Sequence, residues 1–133
     1  MVNKIILASK SKVRKKILQD NGIICHVKPA GIDEEIVKKS LMNEGATPEV
    51  ISKNLAELKA NKISQKLGNE IVLGADSVID LEGEIISKPS DREEALKILK
   101  KLNGEKHNLI SSVCISKNGS MTWNYTDKAE LTM

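Results

Sequence analysis

The sequence predicts a single α/β domain in which helices flank a mixed β-sheet. Apolar, β-prone runs alternate with segments of helical periodicity, and 133 residues with 40% hydrophobic residues suit one core. No repeat, low-complexity tract or linker divides the chain. Phe is absent and Trp123 and Tyr125 are the only aromatic residues, so an aliphatic core is expected. The predicted order of elements is β-α-β-α-β-β-α-β-β.

The first third of the chain predicts a strand, a helix and a second strand. Residues 4–8 form an apolar run that is typical of a strand buried on both faces. Ser11 is a possible N-cap for the next helix, which should end at Asn21-Gly22. Residues 23–27 predict another strand. The polar stretch 28–45 contains a proline and two glycines and is expected to be a loop.

A long helix and a strand with a hairpin follow. Thr47-Pro48 is a strong helix start, and Gly68-Asn69 should end that helix. Its predicted apolar stripe consists of Ile51, Leu55, Leu58, Ile63 and Leu67. Residues 70–75 predict a buried strand, and a hairpin is expected between residues 77–80 and 85–86.

The last part predicts a helix and a terminal hairpin. Ser90 and Glu93 have the spacing of a capping box, which predicts a helix over residues 91–102. Residues 107–116 and 121–131 alternate as strands do and are joined across Asn118-Gly119, a common hairpin turn.

Composition excludes several classes of protein. The net charge of +3 suits an anionic small molecule, but the shortage of aromatic residues makes nucleic-acid binding unexpected. Cys25 and Cys114 lie far apart without metal-ligand spacing, so two buried thiols are expected rather than a zinc site or a disulfide. The initial apolar run is too short for a signal peptide or a membrane helix, and a cytoplasmic location is expected.

A strand followed by Ser9-Lys10-Ser11 and a helix is a geometry that binds anions. Backbone N–H groups and the positive end of the helix converge there, and Arg14 can hold two phosphate oxygens. Nearby positive charge comes from Lys12, Lys15 and Lys16. The alternative is an ordinary capped helix with solvated lysines.

Asp76 follows an apolar run, at the predicted end of a strand where α/β proteins place catalytic groups. Its carboxylate can accept a proton from water, bind a divalent metal, or do both, and Ser77 can bond the same ligand. The alternative is an aspartate that caps a turn.

Other charged residues are weaker candidates. The acidic cluster Asp33, Glu34 and Glu35 lies in the predicted loop and can help to hold a metal, although acidic loops are usually only solvated. Lys59 and Lys88 are each able to reach phosphate, or are ordinary surface lysines. His107 lies in a predicted strand without a nearby carboxylate in the sequence, so no acid–base role is expected for it.

Six short motifs follow one another along the chain: Leu7-Ala8-Ser9-Lys10-Ser11 with Arg14, Gly31-Ile32-Asp33-Glu34, Leu55-Ala56-Glu57-Leu58-Lys59-Ala60, Gly74-Ala75-Asp76-Ser77, Ser87-Lys88-Pro89 and Leu102-Asn103-Gly104-Glu105-Lys106-His107. In this order and spacing they resemble the Maf family of nucleotide pyrophosphatases. The resemblance spans nearly the whole chain. It implies a Maf/ITPase-like fold and cleavage of a nucleoside triphosphate to the monophosphate and pyrophosphate, which is thought to remove non-standard or surplus nucleotides.

The resemblance also implies roles for individual residues. Asp76 corresponds to the family's catalytic proton acceptor. A divalent cation, Mg²⁺ or Mn²⁺, is expected on Glu34 and Asp76. The phosphate-binding residues implied are Ser9, Ser11, Arg14, Lys59 and Lys88.

The sequence departs from the family pattern in two places. The family's usual Ser-x-Ser-Pro-Arg-Arg is Ser9-Lys10-Ser11-Lys12-Val13-Arg14 here, without the proline and one arginine. In the family, the positions of Val13 and Ser77 tend to follow the substrate, with arginine and threonine in dTTP/UTP enzymes, so no base is named. Family members also continue beyond the position of Met133, and apolar strand edges left without that part are expected to favour pairing with another chain, such as a homodimer.

A second class of function stays open from the residues alone. A basic module without turnover would bind nucleotides, RNA or an acidic partner through Lys12, Lys15, Lys16, Lys38 and Lys39.

Overall fold

The computed structural model describes residues 4–86, 89 and 91–132, which form a six-stranded mixed sheet and four helices. The elements are β1 (Lys4–Leu7), α1 (Lys12–Asp20), β2 (Ile24–Val27), α2 (Glu34–Asn43), α3 (Pro48–Leu67), β3 (Val72–Leu81), β4 (Glu84–Ile86), α4 (Arg92–Leu102), β5 (Lys106–Lys117) and β6 (Ser120–Thr132). The predicted fold class, a mixed sheet flanked by helices, is confirmed.

The sheet has a break in its pairing beside β3. The strand order is β2-β1-β3-β5-β6, with β1 parallel to both neighbours and β5 and β6 antiparallel. On the edge of β3 away from β5, β1 pairs with Val72 and Leu73, and β4 pairs with residues 79–81. Within the described residues, 74–78 have no strand partner on that edge, which we call the open edge.

Helix α3 packs against one face of the sheet and closes the core. Its buried residues Ile51 and Leu55 contact Val78 and Ile110, and a second cluster joins Ala56 and Ala60 to strands β1, β3 and β5. Gly74 allows this close approach, because a Cβ atom there would lie 2.2 Å from the carbonyl oxygen of Ala56. The predicted stripe is wrong at Leu58, which is 43% exposed, whereas Ala56 and Ala60 are fully buried.

Two predicted N-caps and one predicted hairpin turn are confirmed, whereas the predicted capping box is wrong. Ser11 and Thr47 cap α1 and α3, each accepting a hydrogen bond from the backbone N–H three residues later. Asn118 and Gly119 both have positive φ, as a two-residue hairpin turn requires, and join β5 to β6. The capping box predicted from Ser90 and Glu93 is wrong, because Asp91 is the N-cap and accepts from Glu94 N–H, so α4 begins at Arg92, one residue later than predicted. Ser90 lies outside the described residues.

The prediction of a loop over residues 28–45 is wrong, because helix α2 occupies its second half. Asp33 is the N-cap and its carboxylate accepts from Ile36 N–H at 3.3 Å. Val37 and Leu41, one helical turn apart, pack against the core beside α3. Two apolar residues and an N-cap are enough to form helix α2, because the neighbouring helix α3 supplies the rest of its packing.

The predicted position of Asp76 at the end of a strand is also wrong. Residues 72–81 form one continuous strand, and Asp76 lies in its middle. The polar residues Asp76 and Ser77 do not interrupt β3, because pairing with β5 continues from Val72 to Asp80. Asp76 lies instead at the open edge, where β1 has already ended.

Candidate functional site

The segment from Ser9 to Arg14 forms a compact turn into α1. The Oγ of Ser9 accepts from the backbone N–H of Ser11 and from Nη1 of Arg14, both at 3.1 Å. Ser11 in turn accepts from the backbone N–H of Arg14 at 3.2 Å. These bonds hold the guanidinium beside the helix N-terminus, where exposed N–H groups favour anions.

Lys59 links the predicted catalytic and metal-binding residues. Its Nζ lies 2.5 Å from Oε1 of Glu34 and 3.3 Å from Oδ1 of Asp76, and it also donates to the carbonyl of Ala75 at 3.1 Å. An ammonium group has three protons, so these partners can use all of them. Lys59 is therefore held between two carboxylates. The alternative, in which Lys59 is an ordinary solvated surface lysine, is wrong.

Asp76 is a buried carboxyl group with one oxygen left over. The residue is 5% exposed, and Oδ2 has no hydrogen-bond partner within the part of the chain that the structure describes. Burial raises the pKa of Asp76 above its usual value, while the positive charge of Lys59 acts in the opposite direction. The alternative of a turn-capping aspartate is excluded, because Asp76 lies within a strand.

A cavity of about 310 Å³ opens beside these groups, and we call it the phosphate cavity. Hydroxyl groups, positively charged side chains and residues 29–32 before α2 line this cavity. Its lining includes Ser9, Lys10, Ser11, Arg14, Gly31, Glu34 and Lys59. The structure thus brings together six of the residues singled out in the sequence: Ser9, Ser11, Arg14, Glu34, Lys59 and, through its bond to Lys59, Asp76.

Two other predicted site residues, Val13 and Ser77, do not line the phosphate cavity. Val13 is 68% exposed on the outer surface of α1 and lines none of the described cavities. Ser77 faces away from Asp76, because successive side chains of a strand point to opposite faces. Lys88 lies outside the described residues, so its predicted role stays a prediction.

Two buried residues near the site were not predicted from the sequence. Ser52 of α3 is fully buried and donates to the carbonyl oxygen of Asp76 at 3.1 Å. Lys38 is 8% exposed and lies 3.7 Å from Glu35, and its charge lowers the pKa of Asp76. Ser52 could have been predicted from the helical spacing of α3, because Ser52, Ala56 and Lys59 lie on the same face of that helix. Lys38 had no such signal, because α2 itself was missed.

The carboxylates of Asp76 and Glu34 fit a divalent cation whose remaining ligands come from a substrate and from water. Oδ2 of Asp76 is buried and has no partner among the residues that the structure describes, and Glu34 lies against the ammonium group that binds Oδ1. Carboxylate oxygens are preferred by Mg²⁺, which usually takes only one or two of them and completes its shell with phosphate and water. No group of three or more His, Cys, Asp or Glu side chains able to hold a metal occurs among the described residues.

Cysteine and histidine side chains lie away from this chemistry. Both cysteines are free and buried, as predicted, and burial raises the pKa of Cys114 to about 11. A thiol with that pKa is protonated at neutral pH and is not a nucleophile. His107 is 5% exposed on β5, and its Nδ1 lies 3.4 Å from the carbonyl oxygen of Glu105. The expectation of no acid–base role for His107 stays a prediction.

A family model described as Maf-like protein matches residues 4–133. The chain belongs to this family. The match covers every motif on which the resemblance was based, including those of the phosphate cavity and β3.

Relatives of this Maf-like chain are named as pyrophosphatases. It is 72% identical over 133 residues to a nucleoside triphosphate pyrophosphatase of Pelagibacter ubique, covering 100% of this chain and 68% of the relative. It is 40% identical to the nucleoside triphosphate pyrophosphatase of Ruegeria sp. and 39% identical to the 7-methyl-GTP pyrophosphatase of Brucella abortus, in each case over all of this chain and 67% of the relative. The chain thus spans about two thirds of these relatives' length.

Solved structures support the fold of this Maf-like chain. A HAM1 protein from Coxiella burnetii superimposes with a TM-score of 0.58 at 16% identity, over 98% of this chain and 71% of that one. At this identity the likeness concerns the fold alone. Among the described residues, no helix is both long and apolar enough to cross a membrane.

Proposed function

We propose that this Maf-like chain is a nucleoside triphosphate pyrophosphatase, which hydrolyses its substrate to the monophosphate and pyrophosphate. One observation carries the proposal. Lys59 joins Glu34 to Asp76 beside the anion-binding turn, while the second oxygen of Asp76 is buried without a partner among the described residues. The names of the pyrophosphatase relatives support the same reaction.

The residues of the phosphate cavity bind and orient the triphosphate in this proposal. Arg14 and the N-terminus of α1 bind phosphate oxygens, and Ser9 keeps the guanidinium in place. Lys59 offsets the negative charge that Glu34 and Asp76 add to an anionic substrate. Lys88, if it reaches the cavity, adds a further positive charge.

Asp76 accepts the proton of the attacking water. The water oxygen bonds to the α-phosphorus as the bond to the bridging oxygen breaks, and pyrophosphate leaves. The raised pKa of Asp76 makes its carboxylate a stronger base than an exposed aspartate. Asp76 and Glu34 would hold Mg²⁺ or Mn²⁺, which when bound neutralises charge on the phosphates.

The experiment is a screen of nucleoside triphosphates for release of pyrophosphate, with Mg²⁺ or Mn²⁺, comparing wild type with Asp76→Asn. We expect Asp76→Asn to lower kcat by roughly 10²–10⁴-fold, the usual contribution of a general base. The matched control is Asp80→Asn, the same change in the same strand, at a residue whose carboxylate accepts from Gly83 N–H in a turn. Equal activity of wild type and Asp76→Asn, both folded, would contradict the proposal.

The screen should include 7-methyl-GTP beside the standard triphosphates. Relatives of 39% identity in two Brucella species carry the name 7-methyl-GTP pyrophosphatase. The departure at Val13 from the arginine of dTTP/UTP enzymes leaves the base open, so we propose only the triphosphate class.

A cytoplasmic location and a homodimer are also proposed, and sedimentation equilibrium tests the dimer.

A further inference from the structure

The part of β3 that carries Asp76 is paired with a strand on one edge and not on the other. Within the described residues, 74–78 pair with β5, whereas β1 and β4 pair with the residues before and after them. A strand that lacks a neighbour on one edge loses the ladder hydrogen bonds of that edge. The position of Asp76 therefore depends on β5 and on side chains from the neighbouring helices.

Side chains of α1 and α3 donate hydrogen bonds to two consecutive carbonyl groups of this segment. The carbonyl oxygen of Ala75 accepts from Nη1 of Arg14 at 3.3 Å and from Nζ of Lys59 at 3.1 Å. The next carbonyl oxygen, that of Asp76, accepts from Oγ of Ser52 at 3.1 Å. Arg14 and Lys59 line the phosphate cavity, whereas Ser52 is fully buried behind it. Ser52 is thus the donor of this group that a substrate does not contact.

A serine on the buried face of a helix needs a reason. Serine side chains within helices usually point to solvent or bond to the carbonyl group four residues earlier. Alanine has the higher helix propensity and has no hydroxyl that must find a partner, so helix stability alone does not favour serine. Ser52 instead donates across to β3. Its bond to the backbone of Asp76 is the contact that alanine could not make.

Helix α3 holds Asp76 at its backbone and at its side chain. Ser52 bonds to the carbonyl oxygen of Asp76, and Lys59, two turns later on the same face, bonds to Oδ1 at 3.3 Å. Between them, Ala56 lies directly against Gly74. A fixed carbonyl group fixes ψ of Asp76, and with it the direction in which the side chain leaves the strand. Ser52 therefore helps to determine where the carboxyl group lies.

The backbone of Asp76 matters because its side chain is held at one oxygen only among the described residues. Lys59 binds Oδ1, while Oδ2 is buried and has no partner within that part of the chain. A general base must lie within about 2.6–3.2 Å of the group whose proton it accepts. A displacement of about 1 Å lowers the rate by up to roughly 100-fold.

We propose that Ser52 is a positioning residue for the hydrolysis, which keeps the carboxyl group of Asp76 aligned by holding its backbone carbonyl. This inference rests on the proposed function, in which Asp76 accepts the proton of the attacking water. Ser52 contacts neither the substrate nor the cation in this proposal. Its removal should affect the chemical step and leave the binding of the triphosphate by the turn from Ser9 to Arg14 intact.

The test measures kcat and KM for pyrophosphate release in wild type, Ser52→Ala, Ser52→Thr and Ser52→Val. We expect Ser52→Ala to lower kcat by roughly 10–100-fold and to change KM by about twofold or less, because a displaced base slows the chemical step and not substrate binding. Threonine and valine have nearly the same size and shape, so comparing them isolates the hydroxyl group. Ser52→Thr should have a kcat at least roughly tenfold above that of Ser52→Val.

The matched control is Ser64→Ala, the same change at another fully buried serine of α3, whose Oγ accepts from the backbone N–H of Gly119 at 2.9 Å. Each alanine variant removes one buried hydrogen bond, so urea unfolding should show similar losses of stability for both. Only Ser52→Ala should lower kcat.

Three results would overturn the inference while the effect of Asp76→Asn still supports the proposed function. They are a wild-type kcat in Ser52→Ala, an equal loss of kcat in Ser64→Ala, and a Ser52→Thr variant no faster than Ser52→Val. If wild type releases pyrophosphate from no triphosphate, the proposed function fails and the inference fails with it.

Discussion

The carboxyl group of Asp76 is ionised only at a cost to the folded state. Transfer of a carboxylate out of water is expensive, and a favourable contact with an ammonium group repays part of that cost. Burial is the larger effect, since the pKa of Asp76 is raised despite the bond to Lys59. Ser52 holds the backbone of Asp76 from the core side, so the strand cannot easily turn the carboxyl group toward solvent.

This cost predicts that Asp76→Asn stabilises the fold while it removes activity. A carboxyl group whose pKa is raised in the folded state contributes stability below its unfolded pKa, and this is lost as pH rises through the folded pKa. Wild type should therefore lose stability relative to Asp76→Asn between acidic and neutral pH. Urea unfolding of both proteins at several pH values, in EDTA, measures the difference.

Asp80→Asn is the comparison for that experiment, because it makes the same substitution in the same strand at a carboxyl group that is less buried than that of Asp76. Its stability relative to wild type should change less with pH. If Asp76→Asn were less stable than wild type at neutral pH, the contact with Lys59 would outweigh desolvation.

At the scale of elements, the distance between α3 and β3 determines where Lys59 meets Asp76. Gly74 fixes this distance, since added atoms would meet the backbone of Ala56 and Ala60. The nearest contacts, at 2.2 and 2.8 Å, are to backbone atoms that cannot rotate away. The helix would have to move as a unit to accept any side chain at this position.

Gly74→Ala should therefore destabilise the domain by about 1–3 kcal/mol, as overpacked cores do, and should lower activity by displacing Lys59. Urea unfolding measures the first effect and pyrophosphate release the second. Adding Ala60→Gly removes one contacted methyl group but not the backbone atoms, so we expect no rescue. Recovery of stability in the double variant would show that the Ala60 side chain alone causes the strain.

Elements with local signals could be predicted from the sequence. The caps Ser11 and Thr47 and the turn at Asn118-Gly119 depend on a few adjacent residues, and each is confirmed. Helix α2 was missed because Val37 and Leu41 are too few to give a clear period, and α3 supplies the rest of its packing. Strand β3 was predicted as two separate strands, because the polar residues Asp76 and Ser77 resemble the end of a strand.

The part of the site that depends on residues close in sequence could be predicted, and the part that depends on contacts between elements could not. Ser9, Ser11 and Arg14 are close in sequence, so their grouping follows from one turn. The contact of Lys59 with Asp76 joins residues 17 positions apart, and only the motif resemblance suggested it. Ser52 reaches Asp76 through a contact between α3 and β3, which a single sequence does not specify.

For the whole molecule, the distribution of charge argues against the basic-module alternative. Lys38 was predicted to contribute to a basic surface together with Lys39, but it is buried beside Glu35. The remaining lysines of that set lie on α1 and α2, and the net charge is only +3. Lys59, by contrast, lies between the carboxylates of Glu34 and Asp76 beside the phosphate cavity, and its charge is not part of an exposed basic surface.

We therefore expect Lys59→Gln to abolish pyrophosphate release. The double variant Lys15→Gln/Lys16→Gln, at exposed positions of α1, should change the release by about twofold or less, because solvent and salt screen exposed charges. Binding of a labelled single-stranded RNA should be weak and should fall steeply with salt, and free triphosphate should bind more tightly than RNA of equal charge. Fluorescence anisotropy over a salt series measures both. If the double variant lost triphosphate and RNA binding together while Lys59→Gln kept both, the lysines of α1 would form a basic binding surface and the phosphate cavity would not be the binding site.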